Sequence, residues 1–329
     1  MPTNLPPNYY SIDKRYKSAS SDAEKIACLE EMMSVIPKHK GTDKIRADIR
    51  KRLSKVKNAT QSNKNASKKD ATYIIDKEGA GQVAVVGAPN VGKSKLINLL
   101  TNSKPEVSAA PFTTWKPTPG MMDYKDIKIQ LIDTPPLNSG YIESGMFDLI
   151  RRSDMALCLV DIQADAIEQL NLSISIMKDH KIVPKRLQYL HEEHRNIQFL
   201  PIIIGLNKFE DDSFKENTEI FKVFLDDQEW PIIEFSAANS NNIEALKQII
   251  FDRLEIIRVY AKSPGKPIDK TAPFVLKKNG NVGEFASKVH KDIEKNMKTA
   301  KVWGTGVFDG QMVQRDHILF DEDVVEINS

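Results

Sequence analysis

Apolar residues along this chain follow two periods, and the change from one to the other divides it. Over residues 1–57 the spacing is helical. Ile26, Leu29, Met33 and Ile36 follow Ser21-Asp22-Ala23-Glu24, whose serine and glutamate stand at capping-box spacing. Ile45, Ile49, Leu53 and Val56 follow Thr42, which can cap a second helix, and Pro37 and Gly41 break the pattern between the two. A helical hairpin is expected. Residues 58–78 form the next region: Asn58 to Lys69 is polar and poor in apolar positions, which predicts a flexible linker.

From Gly79 the apolar residues gather into short runs, each closed by small or polar residues. These are Val83-Ala84-Val85-Val86, Ile127-Lys128-Ile129-Gln130-Leu131-Ile132, Met155-Ala156-Leu157-Cys158-Leu159-Val160, Phe199-Leu200-Pro201-Ile202-Ile203-Ile204-Gly205-Leu206 and Pro231-Ile232-Ile233-Glu234-Phe235. Their length and composition predict strands. Helical patterns lie between them: one opening at Lys95, one from Gln163 to Arg195 with a break at His180-Lys181-Ile182-Val183-Pro184, and an amphipathic one from Asn242 to Leu254. The alternation predicts an α/β core over 79–257, with a separate C-terminal region over 258–329.

The first run leads straight into Gly87-Ala88-Pro89-Asn90-Val91-Gly92-Lys93-Ser94, with Lys95 opening a helix. This is the G-x-x-x-x-G-K-[ST] phosphate loop in its required context, between a strand and a helix. Its glycines let backbone N–H groups turn in around a diphosphate, and the helix N-terminus adds partial positive charge. Lys93 would reach the β- and γ-phosphates and the Ser94 hydroxyl would ligate Mg²⁺. The residues that close the later runs extend the pattern. Phe112-Thr113-Thr114 puts Thr114 where it would complete the Mg²⁺ shell when a γ-phosphate is present, and Asp133 would hold a metal-bound water. Asn207-Lys208 with Glu210 would read guanine. The carboxylate would accept from the ring N1–H and the exocyclic amine, and the lysine stem would pack on the base. Ser236-Ala237-Ala238 would offer a backbone N–H to the guanine oxygen, which adenine cannot accept. This is the motif order of GTP-binding switch proteins. The catalytic group expected from it is Lys93, Thr114 and Asn90.

From Gly87 to Ala238 the chain resembles the Obg-type GTPases, on Pro111-Phe112-Thr113-Thr114 followed by Pro119-Gly120. Its end is similar to the TGS domain of the developmentally regulated GTP-binding proteins. That similarity rests on Arg258-Val259-Tyr260, Pro273-Phe274-Val275-Leu276, Val289-His290-Lys291, Val302-Trp303-Gly304 and the stretch from Asp316 to Ile327. The resemblance covers about three quarters of the chain, from roughly residue 81 onward. It implies a P-loop GTPase core followed by a β-grasp, ubiquitin-like module, with Mg²⁺, slow GTP hydrolysis, and contact with RNA or a translation partner. Asn90 matches the asparagine that helps several cation-activated relatives bind K⁺. Two positions, Pro136 and Glu210, depart from the family, while the apolar Leu137 differs from many GTPases as Obg-like proteins also do. Pro136 stands where a glycine N–H normally meets the γ-phosphate, and proline has no N–H. Leu137 stands where many GTPases carry a water-orienting glutamine, and Glu210 replaces an aspartate. A non-hydrolysing binding module and an ATPase are therefore the rival readings. The segment Gln163–Arg195 is too short for the extra domain of eukaryotic members.

Composition adds a location and a partner. The 329 residues are 40% hydrophobic with a net charge of +2, as expected of a globular chain with two or three domains. No run approaches a membrane span and the start lacks a secretory signal, so a cytoplasmic monomer away from membranes is expected. Cys28 and Cys158 lack metal or disulfide spacing, Cys158 reads as a core residue, and His191 and His194 read as a solvated face. Charge is uneven. Lys38, Lys40, Lys44, Arg46, Arg50, Lys51, Arg52, Lys55, Lys57, Lys64, Lys68 and Lys69 face only Asp43 and Asp48 across that stretch. So concentrated a patch predicts phosphate-backbone contact with RNA, most simply on the ribosome. Lys288, Lys291, Lys295, Lys298 and Lys301 recur at spacings of three and four, which predicts one basic helical face near the C-terminus.

Overall fold

A computed structural model of the chain describes residues 6–18, 22–37, 42, 45–54, 73–101, 116–138, 142–190, 197–225 and 230–328. It forms two compact units, Met1–Thr72 and Tyr73–Ser329.

The described residues of the first unit form helices α1 (Pro7–Ser18), α2 (Asp22–Val35) and α3 over 45–54. The expected hairpin is thus preceded by a further helix. Two of its three core positions, Tyr9, Ile12 and Tyr16, are tyrosines, so its apolar period is faint in the sequence. Ile12 packs with Cys28, Leu29, Met32, Ile36 and Ile49 in a small core. Arg46 leaves the expected basic patch. It is 7% exposed and donates to the carbonyls of Met33 (3.1 Å) and Ile36 (2.6 Å), closing the last turn of α2. The Thr42 hydroxyl donates to the Pro37 carbonyl at 2.6 Å, and its own carbonyl accepts the Arg46 N–H that starts α3. Ser21, Val56 and most of the basic patch, with the stretch 58–69, lie outside the described residues.

The second unit begins at Tyr73, inside the stretch assigned by sequence to a linker; Tyr73 is buried beside Gly145 and Met146. Its first part runs β1 (Gln82–Gly87), α4 (Lys93–Thr101), β2 (Thr118–Tyr124), β3 (Ile127–Asp133), α5 (Ser144–Arg152), β4 (Met155–Asp161), α6 (Ala166–Asp179), β5 (Ile182–Pro184), β6 (Gln198–Leu200), β7 (Ile202–Asn207), α7 (Lys215–Leu225), β8 (Ile232–Glu234) and α8 (Ile243–Arg253). The six-stranded sheet has the order β2-β3-β1-β4-β7-β8, parallel except for β2. Side chains of β1 alternate between two cores. Ala84 and Val86 face α5, α6 and α7, whereas Val83 and Val85 face α4 and α8. Parallel strands covered on both faces account for the unbroken apolar runs.

Two expectations change here. Among the described residues of the segment expected to be helical from Gln163 to Arg195, α-helix is confined to α6. After it, Ile182-Val183-Pro184 forms β5 and pairs in parallel with β6, and Lys185–Leu190 is a 3₁₀ turn; His191 and His194 lie outside the described residues. The long run through Pro201 divides into β6 and β7. Pro201 has no N–H for a ladder, and its carbonyl instead accepts from Ala156 at 2.9 Å.

The remainder is β9 (Ile256–Ala261), β10 (Phe274–Lys277), α9 (Val282–Val289), α10 (Lys291–Asn296), β11 (Thr299–Trp303), β12 (Gln311–Val313) and β13 (Asp323–Asn328). Its sheet, β10-β9-β13-β11-β12, is antiparallel except for the β9–β13 pair, and Val282 and Phe285 of α9 pack on it as in a β-grasp. The five spaced lysines do not share a helix face. His290 is extended (φ −167°, ψ 141°) and resets the phase between α9 and α10, and Lys301 belongs to β11, beside Glu326. Arg258 of β9 joins this domain to the turn between β2 and β3. Its guanidinium contacts Asp126 (2.7 Å), Asp321 (2.7 Å) and Glu322 (2.5 Å), and the Tyr260 hydroxyl donates to Asp126.

Candidate functional site

The carboxyl ends of the parallel strands converge on the loop after β1. Gly87 has φ 146° and a Cβ there would lie 2.4 Å from the Leu159 carbonyl oxygen; Gly92 has φ 92° and a Cβ would strike the Asn207 side chain at 2.4 Å. Only glycine fits either position. Between them Asn90 takes a left-handed conformation (φ 64°) and is exposed, as is Pro89, while Ala88 and Val91 are buried.

Lys93 is 5% exposed and folds back over the loop, donating to the carbonyls of Gly87 (3.0 Å) and Ala88 (2.9 Å). Burial lowers its pKa to about 8, against the opposing pull of Asp133. The Ser94 hydroxyl donates to Asp133 Oδ2 at 2.5 Å, which joins the start of α4 to the end of β3. Burial pushes the Asp133 carboxyl above the usual aspartate range, although the Ser94 hydrogen bond and the Lys93 charge oppose it. Its other oxygen, Oδ1, is buried without a hydrogen-bond partner. An unpartnered buried carboxylate oxygen beside a serine hydroxyl fits a hard divalent cation. Mg²⁺ takes few protein ligands and completes its shell with water and phosphate oxygens, so Ser94 and Asp133 would hold it. Among the described residues no group of three or more His, Cys, Asp or Glu offers a closed metal cage. Phe112, Thr113 and Thr114 lie outside the described residues. Lys95 is exposed on α4.

Leu137 is fully buried in the core, and its N–H donates to the Gly87 carbonyl at 3.0 Å. Its side chain cannot face a phosphate, and Pro136 offers no donor.

Asn207 ties the loop after β7 to the phosphate loop. It is 2% exposed; its Nδ2 donates to the Val91 carbonyl at 2.7 Å and its Oδ1 accepts the Ala237 N–H at 3.0 Å. The Ala237 N–H, expected from sequence to face a guanine oxygen, is thus engaged by Asn207. The Ala238 N–H is likewise held by the Ser236 hydroxyl at 3.2 Å. Lys208 is left-handed (φ 68°), ion-paired to Asp161, with its carbonyl held by Gln163 Nε2 at 3.0 Å. Asp161 and Gln163 are site residues the motifs do not contain; the only sequence signal was the place of Asp161 at the end of an apolar run. Of the three successive carboxylates, Asp211 accepts from the N–H of Ser213 and Asp212 pairs with Lys215 at 2.8 Å. Glu210 is exposed, with its carbonyl fixed by Asn239 Nδ2 at 3.1 Å.

This fold and constellation define a P-loop GTPase with a β-grasp domain at its C-terminus. Residues 82–208 match the 50S ribosome-binding GTPase family and residues 257–329 the TGS domain. Developmentally-regulated GTP-binding protein 1 of Xenopus laevis is 28% identical, the alignment covering 94% of this chain and 99% of that one. Ribosome-interacting GTPase 1 of Saccharomyces cerevisiae is 24% identical over the same shares. The YchF GTPase structure from Schizosaccharomyces pombe superposes with TM-score 0.56 at 14% identity, over 77% of this chain and 99% of that one, and shares the fold. Over most of its length the chain is similar to the developmentally regulated GTP-binding proteins, and it carries the GTPase and TGS domains in the same order. The Xenopus alignment extends over 369 residues against the 329 of this chain, so that relative carries segments with no counterpart here.

Proposed function

We propose that this protein is a Mg²⁺-dependent GTP-binding protein with slow hydrolysis, coupled to contact with RNA or the ribosome. The observation that carries the reading is the cluster of Lys93, Ser94 and Asp133. It combines a buried cation, a hydroxyl and an unpartnered carboxylate oxygen at the mouth of a glycine-built loop. With nucleotide bound, Lys93 would exchange the Gly87 and Ala88 carbonyls for phosphate oxygens, and Ser94 and Asp133 would hold Mg²⁺. Bound Mg²⁺ would neutralise charge on the phosphates.

The base is guanine on this reading: the exposed Glu210 carboxylate accepts from its edge, the Lys208 stem packs on its face, and Asn207 and Ala237 hold the loop that meets its oxygen. Slow turnover follows from Leu137, whose side chain is committed to the core, and from Pro136, which cannot donate to a γ-phosphate. On the same reading Asn90, exposed at the apex of the loop, would help hold K⁺ beside the phosphates, and Thr114 would complete the Mg²⁺ shell. RNA contact is supported by exposed Arg50, Lys51 and Arg52 on α3, and ribosome contact by the similarity to ribosome-interacting GTPase 1 of Saccharomyces cerevisiae. Among the described residues no helix is long and apolar enough to cross a membrane.

Phosphate release from GTP and from ATP, each measured in K⁺ and in Na⁺, tests the reading. Slow release from GTP alone, faster in K⁺, is expected. Release from ATP at an equal rate would make the protein an ATPase, and tight GTP binding without release would make it a non-hydrolysing module.

A further inference from the structure

The nucleotide motifs occupy the carboxyl ends of the parallel strands; a second concave surface lies at their amino ends. Two cavities of about 240 and 350 Å³ share Lys185, Pro201, Arg253 and Glu255, and so form one continuous groove. Pro201 precedes β7, Pro231 precedes β8 and Asp154 precedes β4, so the groove opens on the edge of the sheet opposite Gly87 and Asn207. A seven-residue strand such as β4 separates the two edges by roughly 20 Å. The TGS domain completes the groove with Lys277, Lys278 and Asn279, and the Lys278 N–H donates to the Glu255 carbonyl at 2.7 Å.

Its chemistry is divided. One wall is flat and apolar, built from Pro184, Pro201, Pro231 and Trp230, with the Arg186 guanidinium 4.2 Å from the Trp230 ring centre. The rim is basic. Among the described lining residues, Lys185, Arg186, Arg253, Lys277 and Lys278 stand against the two carboxylates of Asp154 and Glu255. Both carboxylates are already paired, Asp154 with Lys77 (2.8 Å) and Lys277 (3.8 Å), and Glu255 with Lys185 (3.1 Å). Arg253 and Lys278 have no carboxylate partner among the described residues and are exposed.

We propose that this groove binds single-stranded RNA, phosphates along the lysine and arginine rim and a base against the Trp230 and proline wall. Exposed Arg253 and Lys278, which lack a carboxylate partner among the described residues, in one groove with the Trp230 ring form the combination that unstructured nucleic acid uses, since every base has a face to stack and every nucleotide a phosphate. An acidic peptide would use the rim but not the flat wall. The proposal goes beyond the nucleotide site and does not depend on the basic N-terminal unit, because the groove lies wholly within Tyr73–Ser329.

The test uses the full chain and a fluorescein-labelled single-stranded oligoribonucleotide, followed by anisotropy over a range of KCl. A groove variant, Arg253→Glu with Lys277→Glu and Lys278→Glu, is compared with an N-terminal variant, Arg50→Glu with Lys51→Glu and Arg52→Glu, and GTP affinity is measured on both. The groove variant is expected to bind RNA at least tenfold more weakly and to lose roughly 2 from the salt slope, at about 0.7 per phosphate contact. RNA is also expected to quench tryptophan emission in wild type and to leave that component unchanged in Trp230→Phe. If the groove variant loses GTP affinity, the milder pair Arg253→Ala and Lys278→Ala takes its place. RNA affinity and slope equal to wild type in the groove variant overturn the proposal, and loss in the N-terminal variant alone assigns RNA to that unit. Displacement of the oligonucleotide by poly-glutamate at lower concentration than by unlabelled RNA also overturns it, in favour of a protein partner.

Discussion

Replacing Arg258 with methionine keeps the length of the side chain and removes its guanidinium, so it isolates the ionic joint between the GTPase and TGS domains. The Arg258 side chain is 3% exposed, and the carboxylates it holds are 22% (Asp126), 33% (Asp321) and 51% (Glu322) exposed. Without it three carboxylates gather around one gap. Removing one partner of a buried ion pair costs about 3–5 kcal/mol, and solvent access to the acidic side places this case near about 3 kcal/mol. At 2–4 °C per kcal/mol for a unit of this size, the melting temperature should fall by roughly 6–12 °C. Tyr260→Phe, which deletes a single hydrogen bond to Asp126, should cost about 1 kcal/mol. The joint should also respond to acid. Burial pushes the Asp126 carboxyl up, but the hydrogen bonds from Tyr260 and Arg258 and the Arg258 charge outweigh burial and hold it below the ordinary aspartate range. A depressed carboxyl contributes stability above its unfolded pKa and loses it as pH falls through the folded one. The difference in melting temperature between wild type and Arg258→Met should therefore shrink below about pH 4. Differential scanning calorimetry reads all three, and an Arg258→Met protein that melts within a degree of wild type at pH 7 would refute the reasoning.

Three further outcomes follow from the site. Leu137→Gln places an amide in a fully apolar position; it should destabilise by about 3 kcal/mol in urea unfolding and leave phosphate release no faster. Faster release would mean that the position reaches the phosphates after all. Lys93 has a pKa of about 8 in the fold against 10.5 ordinarily. The ligand-free fold should therefore gain stability as pH rises from 8 toward 10.5, and binding of GTP, which restores the charge, should take up about half a proton at pH 8. Titration calorimetry in buffers of different ionisation enthalpy measures that uptake, and none would separate Lys93 from the phosphates. Glu210→Ala should weaken GTP by roughly 1.5–3 kcal/mol while Glu210→Asp keeps it, and a loss confined to ATP would reverse the choice of base.

The legible parts of this chain were those where chemistry is carried by neighbours in sequence. Gly87 to Ser94 is one turn of backbone, and its strand, helix and glycine requirements are all local. The buried strands could be read because a sheet covered on both faces needs unbroken apolar runs. What escaped depends on contacts that spacing does not encode. Arg258 and Asp126 are 132 residues apart, and only the domain arrangement brings them together. Arg46 looks like any basic residue until the end of α2 needs its hydrogen bonds. The five lysines near the C-terminus keep a helical spacing on paper, yet one extended residue, His290, removes the common face. Ile182-Val183-Pro184 is too short for its period to announce a strand. In the site itself the motif residues were readable, but the links that hold them were not: Asn207 to Val91, Lys208 to Asp161, and the Leu137 N–H to Gly87.

Nucleotide selectivity of the full chain in Mg²⁺ tests the central claim most directly. Titration calorimetry with GTP, GDP and ATP should find guanine nucleotides bound and ATP excluded, with binding abolished in Lys93→Ala and in Ser94→Ala while both variants melt as cooperatively as wild type. Equal affinity for ATP and GTP, or GTP affinity unchanged by Lys93→Ala, would contradict it.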